Sequence, residues 1–135
     1  MAELNELTNE KVIAGQDYAV KTVSDLSALQ YTFVKLDTNN LCVAAGAGDA
    51  AMGVLQNAPL GTASAPAYAS VRVLGVSKLL LGGNVSAGDF LKVTTNGVGL
   101  TTVTDRDRYC AVALCDASSG DYALVVVQAG NVSHS

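Results

Sequence analysis

The sequence predicts an all-β domain, a small barrel or sandwich of about eight short strands preceded by an extended N-terminal arm. Three observations support this fold class. From Tyr31 onward, short apolar runs alternate with clusters of Gly, Asn, Asp and Ser, which are typical turn residues. No long window keeps apolar residues at the 3.6-residue spacing of an amphipathic helix. The chain of 135 residues also has the length of a single domain.

Residues 1–30 differ from the rest of the chain, and we assign them to the arm, with residues 31–135 forming the barrel-like domain. The first ten residues are polar and acidic, with Glu3, Glu6 and Glu10. The stretch SDLSALQ hints at one helical turn, for which Ser24 would be the N-cap. Such a segment is either disordered in the isolated protein or becomes ordered on a partner.

Three hairpins are predicted in the body of the chain. YTFVKL and LCVAA flank the turn sequence DTNN, FLKVTT and VGLTTV flank Asn96-Gly97, and YCAVALC and YALVVV flank DASSGD. Asn-Gly is the strongest of these turn signals, because a type I′ turn needs a positive φ at both of its central residues.

A tripeptide that ends in Gly-Asp recurs before three apolar runs, at residues 47–49, 87–89 and 119–121. The unequal spacing excludes a solenoid repeat. The pattern indicates instead that one kind of turn is used three times. Gly accepts unusual backbone angles there, and Asp bonds back to nearby amides as the chain enters a strand.

One glycine pattern matches a dinucleotide-binding loop in part. Gly46, Gly48 and Ala51 fit G-x-G-x-x-A. A helix must follow such a loop to hold the pyrophosphate, and Gly53 and Pro59 interrupt any helix here. No acidic residue follows at the spacing that would bind a ribose. We interpret this stretch as a connection between strands and predict no cofactor.

Two further ion-binding patterns fail at the residues that matter most. Gly83 and Gly88 have P-loop spacing, but Asp89 occupies the position of the phosphate-binding lysine. DTNNLC begins like a calcium loop, but Leu41 stands where a ligand belongs and Cys42 where glycine must turn the chain. We predict a turn in both places.

The segment TDRDRY alternates in charge. In an extended backbone Asp105 and Asp107 share one face, with Arg106 and Arg108 on the other. Paired carboxylates could bind a cation or take part in acid–base chemistry. A solvated strand edge, protected from strand addition by its charges, is the commoner meaning. An ion-pair site between subunits is the second interpretation.

No catalytic or metal-binding constellation is predicted. The only histidine, His134, is the penultimate residue, where nothing can hold it beside a nucleophile. Cys42, Cys110 and Cys115 lack zinc-ligand spacing, and their odd number indicates reduced, buried thiols. We therefore expect no catalytic, cofactor-binding or metal-binding residues, and a protein that is not an enzyme.

Charge and hydropathy exclude two classes of partner. The net charge is −4, and the eight Lys and Arg residues are scattered, whereas nucleic-acid binding needs clustered cations. The apolar runs are far shorter than the roughly 20 residues of a membrane-spanning helix. The N-terminus MAELNELTNE lacks the features of a signal peptide, so we expect synthesis in the cytoplasm.

Three stretches of the body follow one another in a characteristic order. They are YTFVKLDTNNLCVAAGAGDAAMGVLQNAP, ASVRVLGVSKLLLGGNVSAGDFLKVTTNGVG and RYCAVALCDASSGDYALVVV. The order and spacing of their motifs (A-G-D before a GVLQN-like strand, V-R-V-x-G, S-A-G-D, N-G and a closing hairpin) resemble the capsid-cement, or head decoration, proteins of tailed bacteriophages. The resemblance covers residues 31–128 and does not extend into residues 1–30.

The resemblance implies a small β-barrel-like domain that docks as a trimer on the outer surface of an expanded capsid. There it would bridge neighbouring subunits of the major capsid protein, and its place would be the virion. The family has no catalytic residues to transfer. Two alternatives stay open: another phage structural component, of the tail or baseplate, and a small β-barrel ligand-binding module.

Overall fold

The computed structural model describes residues 15–104 and 106–133, and the regular secondary structure of this part of the chain is almost entirely strand. One short 3-10 turn lies at Thr95–Gly97. The nine strands are β1 (Gly15–Thr22), β2 (Phe33–Leu36), β3 (Cys42–Ala44), β4 (Gly53–Leu55), β5 (Ala67–Leu80), β6 (Phe90–Val93), β7 (Gly99–Thr101), β8 (Arg108–Ala113) and β9 (Tyr122–Asn131).

All nine strands belong to one antiparallel, curled sheet. Eight of them follow the order β3-β2-β4-β5-β9-β8-β6-β7, and β1 pairs with β5 beside this path. The predicted all-β fold class is confirmed. The three predicted hairpins are confirmed as the pairs β2–β3, β6–β7 and β8–β9.

Strand β5 joins two halves of the sheet. Its first part pairs with β1 and β4, and its second part pairs with β9. Gly75, at φ 108°, lies opposite both Gly15 and Val127. We call β1 to β4 with the first part of β5 the N-terminal half, and the remaining strands the C-terminal half.

Each half of the sheet curls so that the strands at its two edges approach each other. In the N-terminal half, the Thr22 hydroxyl at the end of β1 donates a hydrogen bond of 2.8 Å to the Cys42 carbonyl of β3. In the C-terminal half, Leu81 forms a parallel bridge with Gly99 of β7. The Gly82 amide donates to the Gly99 carbonyl at 2.8 Å.

Two clusters of buried apolar side chains fill the fold, and β2 and β4 contribute to both. Consecutive residues of a strand point to opposite faces. Phe33 and Val54 therefore pack with β6, β8 and β9, whereas Val34 and Leu55 pack with β1 and β3. These two short strands are covered on both faces, as continuous apolar strands normally are.

The turn at Asn96-Gly97 has the predicted pair of positive φ values, but the loop has three residues, Thr95–Gly97, and not two. The Thr94 amide donates to the Val98 carbonyl at 2.9 Å and closes it. Asn96 has φ 59° and Gly97 has φ 74°, which are the two positive values that a type I′ turn requires. In the β2–β3 turn, the Asp37 carboxylate accepts hydrogen bonds from the amides of Asn39 and Leu41, at 2.8 and 3.0 Å.

The Gly-Asp tripeptides form the same turn three times, as predicted. In each, the Asp amide donates to the carbonyl three residues earlier, at 3.1, 3.0 and 3.0 Å. The glycines Gly48, Gly88 and Gly120 have φ of 80°, 92° and 85°. The carboxylates of Asp49 and Asp89 also accept from the amide three residues earlier, at 2.7 and 2.9 Å.

The proposed arm overlaps the sheet. Residues 1–14 lie outside the described residues, but β1 pairs with β5 along its whole length, and Leu26 is buried. The change of pattern at residue 30 in the sequence therefore does not coincide with a boundary in the fold. Asp25, and not Ser24, accepts the local hydrogen bonds, from the Ser27 amide at 3.0 Å and the Ser27 hydroxyl at 2.6 Å.

Candidate functional site

The loop with the partial dinucleotide pattern closes on its own carboxylate. The Gly46 amide donates to Asp49 Oδ2 at 2.7 Å, and the chain continues into β4 at Gly53. An amide that could face a phosphate is thus already bonded to an anion of the same loop. The interpretation of MGVLQ as a strand is confirmed by β4.

Asp49 also binds a cation. Lys35 Nζ lies 2.7 Å from Asp49 Oδ2. The hydrogen bond from Lys35, followed by that from the Gly46 amide, holds the pKa of Asp49 below its usual range. This carboxylate therefore links β2 to the turn that precedes β4.

Because of the Lys35–Asp49 pair, the free energy of unfolding should decrease at acid pH. Because the folded-state pKa of Asp49 is lowered, its contribution is present above the unfolded value of about 3.9 and is lost as the pH falls through the folded value. Asp49→Asn should therefore be less stable than the wild type at neutral pH, and the difference should shrink as the pH falls below the unfolded value. Urea unfolding of both proteins across this range measures the difference.

Lys35→Met is the matched control, because it removes the cation and keeps the carboxylate. It should shift the acid limb of the stability curve in the same direction. A difference between wild type and Asp49→Asn that stays constant from neutral to acid pH would contradict the assignment.

A cavity of about 300 Å³ lies between this turn and β6. Its two carboxylates, Asp49 and Asp107, are paired with Lys35 at 2.7 Å and Lys92 at 3.6 Å. Asp107 also accepts a hydrogen bond from the Thr102 hydroxyl at 2.6 Å. Of the charges of TDRDRY, that of Asp107 is thus used within the fold, and Asp105 lies outside the described residues. The expectation of an extended segment is wrong, because the Asp107 amide donates to the Thr104 carbonyl at 3.0 Å and Arg106 has φ 69°, so the chain turns before β8.

The cysteines have the character of core residues. All three are free thiols, and Cys42 and Cys110 are buried. Burial raises the pKa of Cys42 to about 11, so its reactive thiolate is disfavoured at neutral pH. Cys115 is partly exposed and accepts a weak hydrogen bond from the Leu124 amide at 3.4 Å.

No group of three or more His, Cys, Asp or Glu side chains in residues 15–104 and 106–133 is placed to hold a metal ion. In the same part of the chain, none of the helices has the length and hydropathy to cross a bilayer.

The C-terminal half presents an apolar surface to solvent. Inward-pointing residues of β5, β9, β8 and β6, such as Leu79, Val125 and Leu91, are fully buried. The alternate residues point outward, and most of them are apolar; Lys78, Lys92 and Gln128 are the polar ones. We call the part of this surface that is apolar apart from Lys78 the outer face: Val76, Lys78, Leu80, Phe90, Val112, Leu114, Tyr122, Leu124 and Val126.

Strand register places these side chains in rows. Val76 lies opposite Val126, and Val126 lies opposite Val112. Val112 in turn lies opposite Phe90, so one apolar row crosses four strands. Directly opposed side chains in an antiparallel sheet are close enough to touch, so the row is continuous.

Aromatic pairs stand at two opposite corners of the outer face. Tyr122 meets Tyr31 edge-on, with ring centres 5.7 Å apart, and Phe90 packs on Tyr109 at 4.5 Å. Lys78 Nζ lies 5.6 Å from the centre of the Tyr31 ring. The only charge on the outer face is therefore held against an aromatic ring of the same chain.

The strands of the outer face are predictable from the sequence, but the exposure of one of their faces is not. The available signal was the missing alternation: YALVVV and YCAVALC carry apolar residues at both inward and outward positions. A strand with one solvated side normally alternates with polar residues.

Comparisons with known proteins show a likeness in the fold. No protein-family model matches the chain, and no curated protein matches it. Among solved structures, the chain is similar to the N base of head fiber gp8.5 of bacteriophage phi29, with a TM-score of 0.68 and 13% sequence identity. The two chains share a fold. The likeness covers 88% of this chain and 98% of the phi29 base, so it extends over both halves of the sheet.

Proposed function

We propose that the protein is a structural component of a phage virion that binds the outer surface of the expanded capsid. There it cements neighbouring subunits of the major capsid protein, as a trimer. The observation that carries the proposal is the fold shared with the phi29 head fiber base, which extends over 98% of that chain. The motif order in residues 31–128 points independently to head decoration proteins.

The architecture suits a protein that works by contact. The sheet closes its two halves around separate cores, so the body is rigid without a ligand. The outer face supplies apolar surface, and the exposed turns of the described residues supply polar surface.

The mechanism is mechanical. A copy that touches two capsid subunits must break both contacts to leave, and a trimer multiplies these contacts further. Because a second contact on the same particle forms at a high effective concentration, modest individual affinities add up to tight retention. The bound copies then oppose separation of the subunits that they bridge.

Binding to phage heads tests the proposal. Purified protein mixed with expanded heads that lack it should cosediment with them and saturate at a fixed number of copies per head. The occupied heads should release DNA at a higher temperature than bare heads. Unexpanded proheads are the matched control, and they should bind fewer copies.

Three results would contradict the proposal: no cosedimentation, no change in the temperature of DNA release, or labelling of intact particles on the tail or baseplate instead of the head.

A variant without residues 1–14 tests the arm within the same assay. It leaves β1 and its pairing with β5 intact. Lower occupancy is expected if the segment reaches the shell, and unchanged occupancy would refute a role for the arm.

A further inference from the structure

Two of the three Gly-Asp turns hold each other through side-chain oxygens. The Ala87 amide donates to Asp116 Oδ1 at 2.8 Å, and the Ser119 amide donates to Asn84 Oδ1 at 2.9 Å. In both turns the donor is the residue immediately before the glycine. The acceptor stands three residues before the donor of the other turn. At this position of the turn, the amide therefore binds an oxygen from another segment.

The third turn, at residues 46–49, has no such partner. Ala47 is the equivalent residue, and its amide has no hydrogen-bond acceptor among the described residues. Ala44 stands where the other two motifs have Asn84 and Asp116, so this motif has no side-chain oxygen to exchange. Because Ala47 is exposed, its amide is accessible to an oxygen from outside the chain.

The accessible amide borders a cavity with an excess of positive charge. Ala47 and Arg108 both line the cavity of about 300 Å³ described above. The two carboxylates of the cavity are each paired with a lysine. The Arg108 guanidinium has no ion pair within the described residues, so one positive charge is left. Asp105 lies outside the described residues and is not included in this sum.

A carboxylate fits this arrangement better than a metal ion or a phosphate. A metal ion would compete with lysines for carboxylates that already have partners. A phosphate carries nearly two negative charges at neutral pH, against the one positive charge that is left. A guanidinium binds both oxygens of a carboxylate in parallel. The turn amide has the same preference, since Asp116 is its acceptor at Ala87.

We propose that this cavity binds the side chain of an aspartate or glutamate from a partner protein. One carboxylate oxygen accepts from the Ala47 amide, and the Arg108 guanidinium binds the carboxylate. One exposed ion pair holds a free small molecule weakly, whereas the rest of an interface brings a side chain to the site at high effective concentration. The inference rests on the proposed function for the identity of the partner, a capsid subunit, and not for the carboxylate.

Two variants remove the binding groups and leave the packing intact. Arg108→Gln removes the guanidinium, which has no ion pair within the described residues. Ala47→Pro removes the amide hydrogen. Proline suits the second position of a turn whose third residue is a glycine with positive φ, and Gly48 has φ 80°. Each variant should raise the dissociation constant for expanded heads about 10-fold or more.

Each variant has a matched control. Arg106→Gln removes the same charge from a residue that does not line the cavity, and it should bind heads as the wild type does. Ala87→Pro removes the amide that Asp116 uses, so it should lower the urea midpoint. Ala47→Pro should not lower it, because its amide has no acceptor in the described part of the fold.

Nuclear magnetic resonance with sodium acetate tests the carboxylate without phage heads. Acetate up to about 100 mM, a range that detects millimolar binding, should shift the Ala47 amide resonance of the wild type. The same concentration of sodium chloride should shift it less, and Arg108→Gln should remove the difference between the two salts.

The outcomes separate this inference from the proposed function. If heads bind both cavity variants as tightly as the wild type, the inference is overturned. It is also overturned if Arg106→Gln weakens binding equally, or if the Ala47 resonance responds to acetate no more than to chloride. If heads fail to bind the wild type while the acetate response is present and depends on Arg108, the proposed function fails and the carboxylate site stands.

Discussion

Phe33→Ala should lower the free energy of unfolding by about 3–5 kcal/mol, the range found when a buried phenylalanine is truncated. Phe33 is fully buried and heads the largest fully buried side chains of the described residues. It lies at the start of β2, opposite Val54, and packs into the cluster shared with β6, β8 and β9. Its loss opens a cavity where the two halves meet.

The two phenylalanines of the chain form a natural comparison. Phe90 is 37% exposed on the outer face, so Phe90→Ala should cost about 1 kcal/mol or less in an isolated copy. Because the chain has no Trp, urea unfolding is best followed by far-UV circular dichroism. All variants are compared at one protein concentration, since association would raise apparent stability.

If Phe33→Ala lowers the free energy of unfolding no more than Phe90→Ala does, β2 is not packed between two cores. For a chain of this length, a total stability of roughly 7–20 kcal/mol is ordinary. The expected loss is therefore a large part of the total, and Phe33→Leu should recover much of it because it refills most of the volume.

Gly97→Ala should cost about 2–5 kcal/mol, from backbone strain and steric overlap together. Gly97 has φ 74°, and a Cβ built there would lie 2.2 Å from the Phe33 carbonyl oxygen. That neighbour is backbone, so it cannot rotate away. The β6–β7 turn would have to withdraw from β2, and contact between the halves would be lost.

Gly88→Ala separates the two causes. Gly88 has φ 92°, but a Cβ there would meet nothing within 4 Å. Its alanine variant should cost only the strain of a positive φ, about 1–2 kcal/mol. If the two variants lose the same free energy of unfolding, measured by the same urea unfolding, the turn is not in close contact with β2.

Local turn chemistry made much of the fold predictable. The Asn96-Gly97 hairpin, the Asp37 turn and the three Gly-Asp turns depend on backbone angles and on hydrogen bonds within four residues. The short strands between them follow once the turns are placed. The pairing of β1 with β5 joins residues from 45 positions apart (Thr22 with Ala67) to 60 positions apart (Gly15 with Gly75), and no local signal in GQDYAVKT predicts it.

The outer face was harder to predict from the sequence, because it too depends on pairing between residues that are distant in the chain. An apolar residue in a strand gives the same sequence pattern whether its side chain faces a core, a partner or solvent. Val125 and Val126 are neighbours of one type, yet one is fully buried and the other lies on the outer face. Only the register and curl of the sheet distinguish them.

By itself, the sequence determined the all-β class, the positions of the hairpins and the chemistry of the turns, because these depend on residues close together in the chain. The tertiary structure decided how β5 joins two halves, which strands are covered on both sides, and which apolar rows remain open. Those properties arise from contacts between distant segments. Each such contact is set by the packing of the whole sheet, which no single stretch of residues specifies.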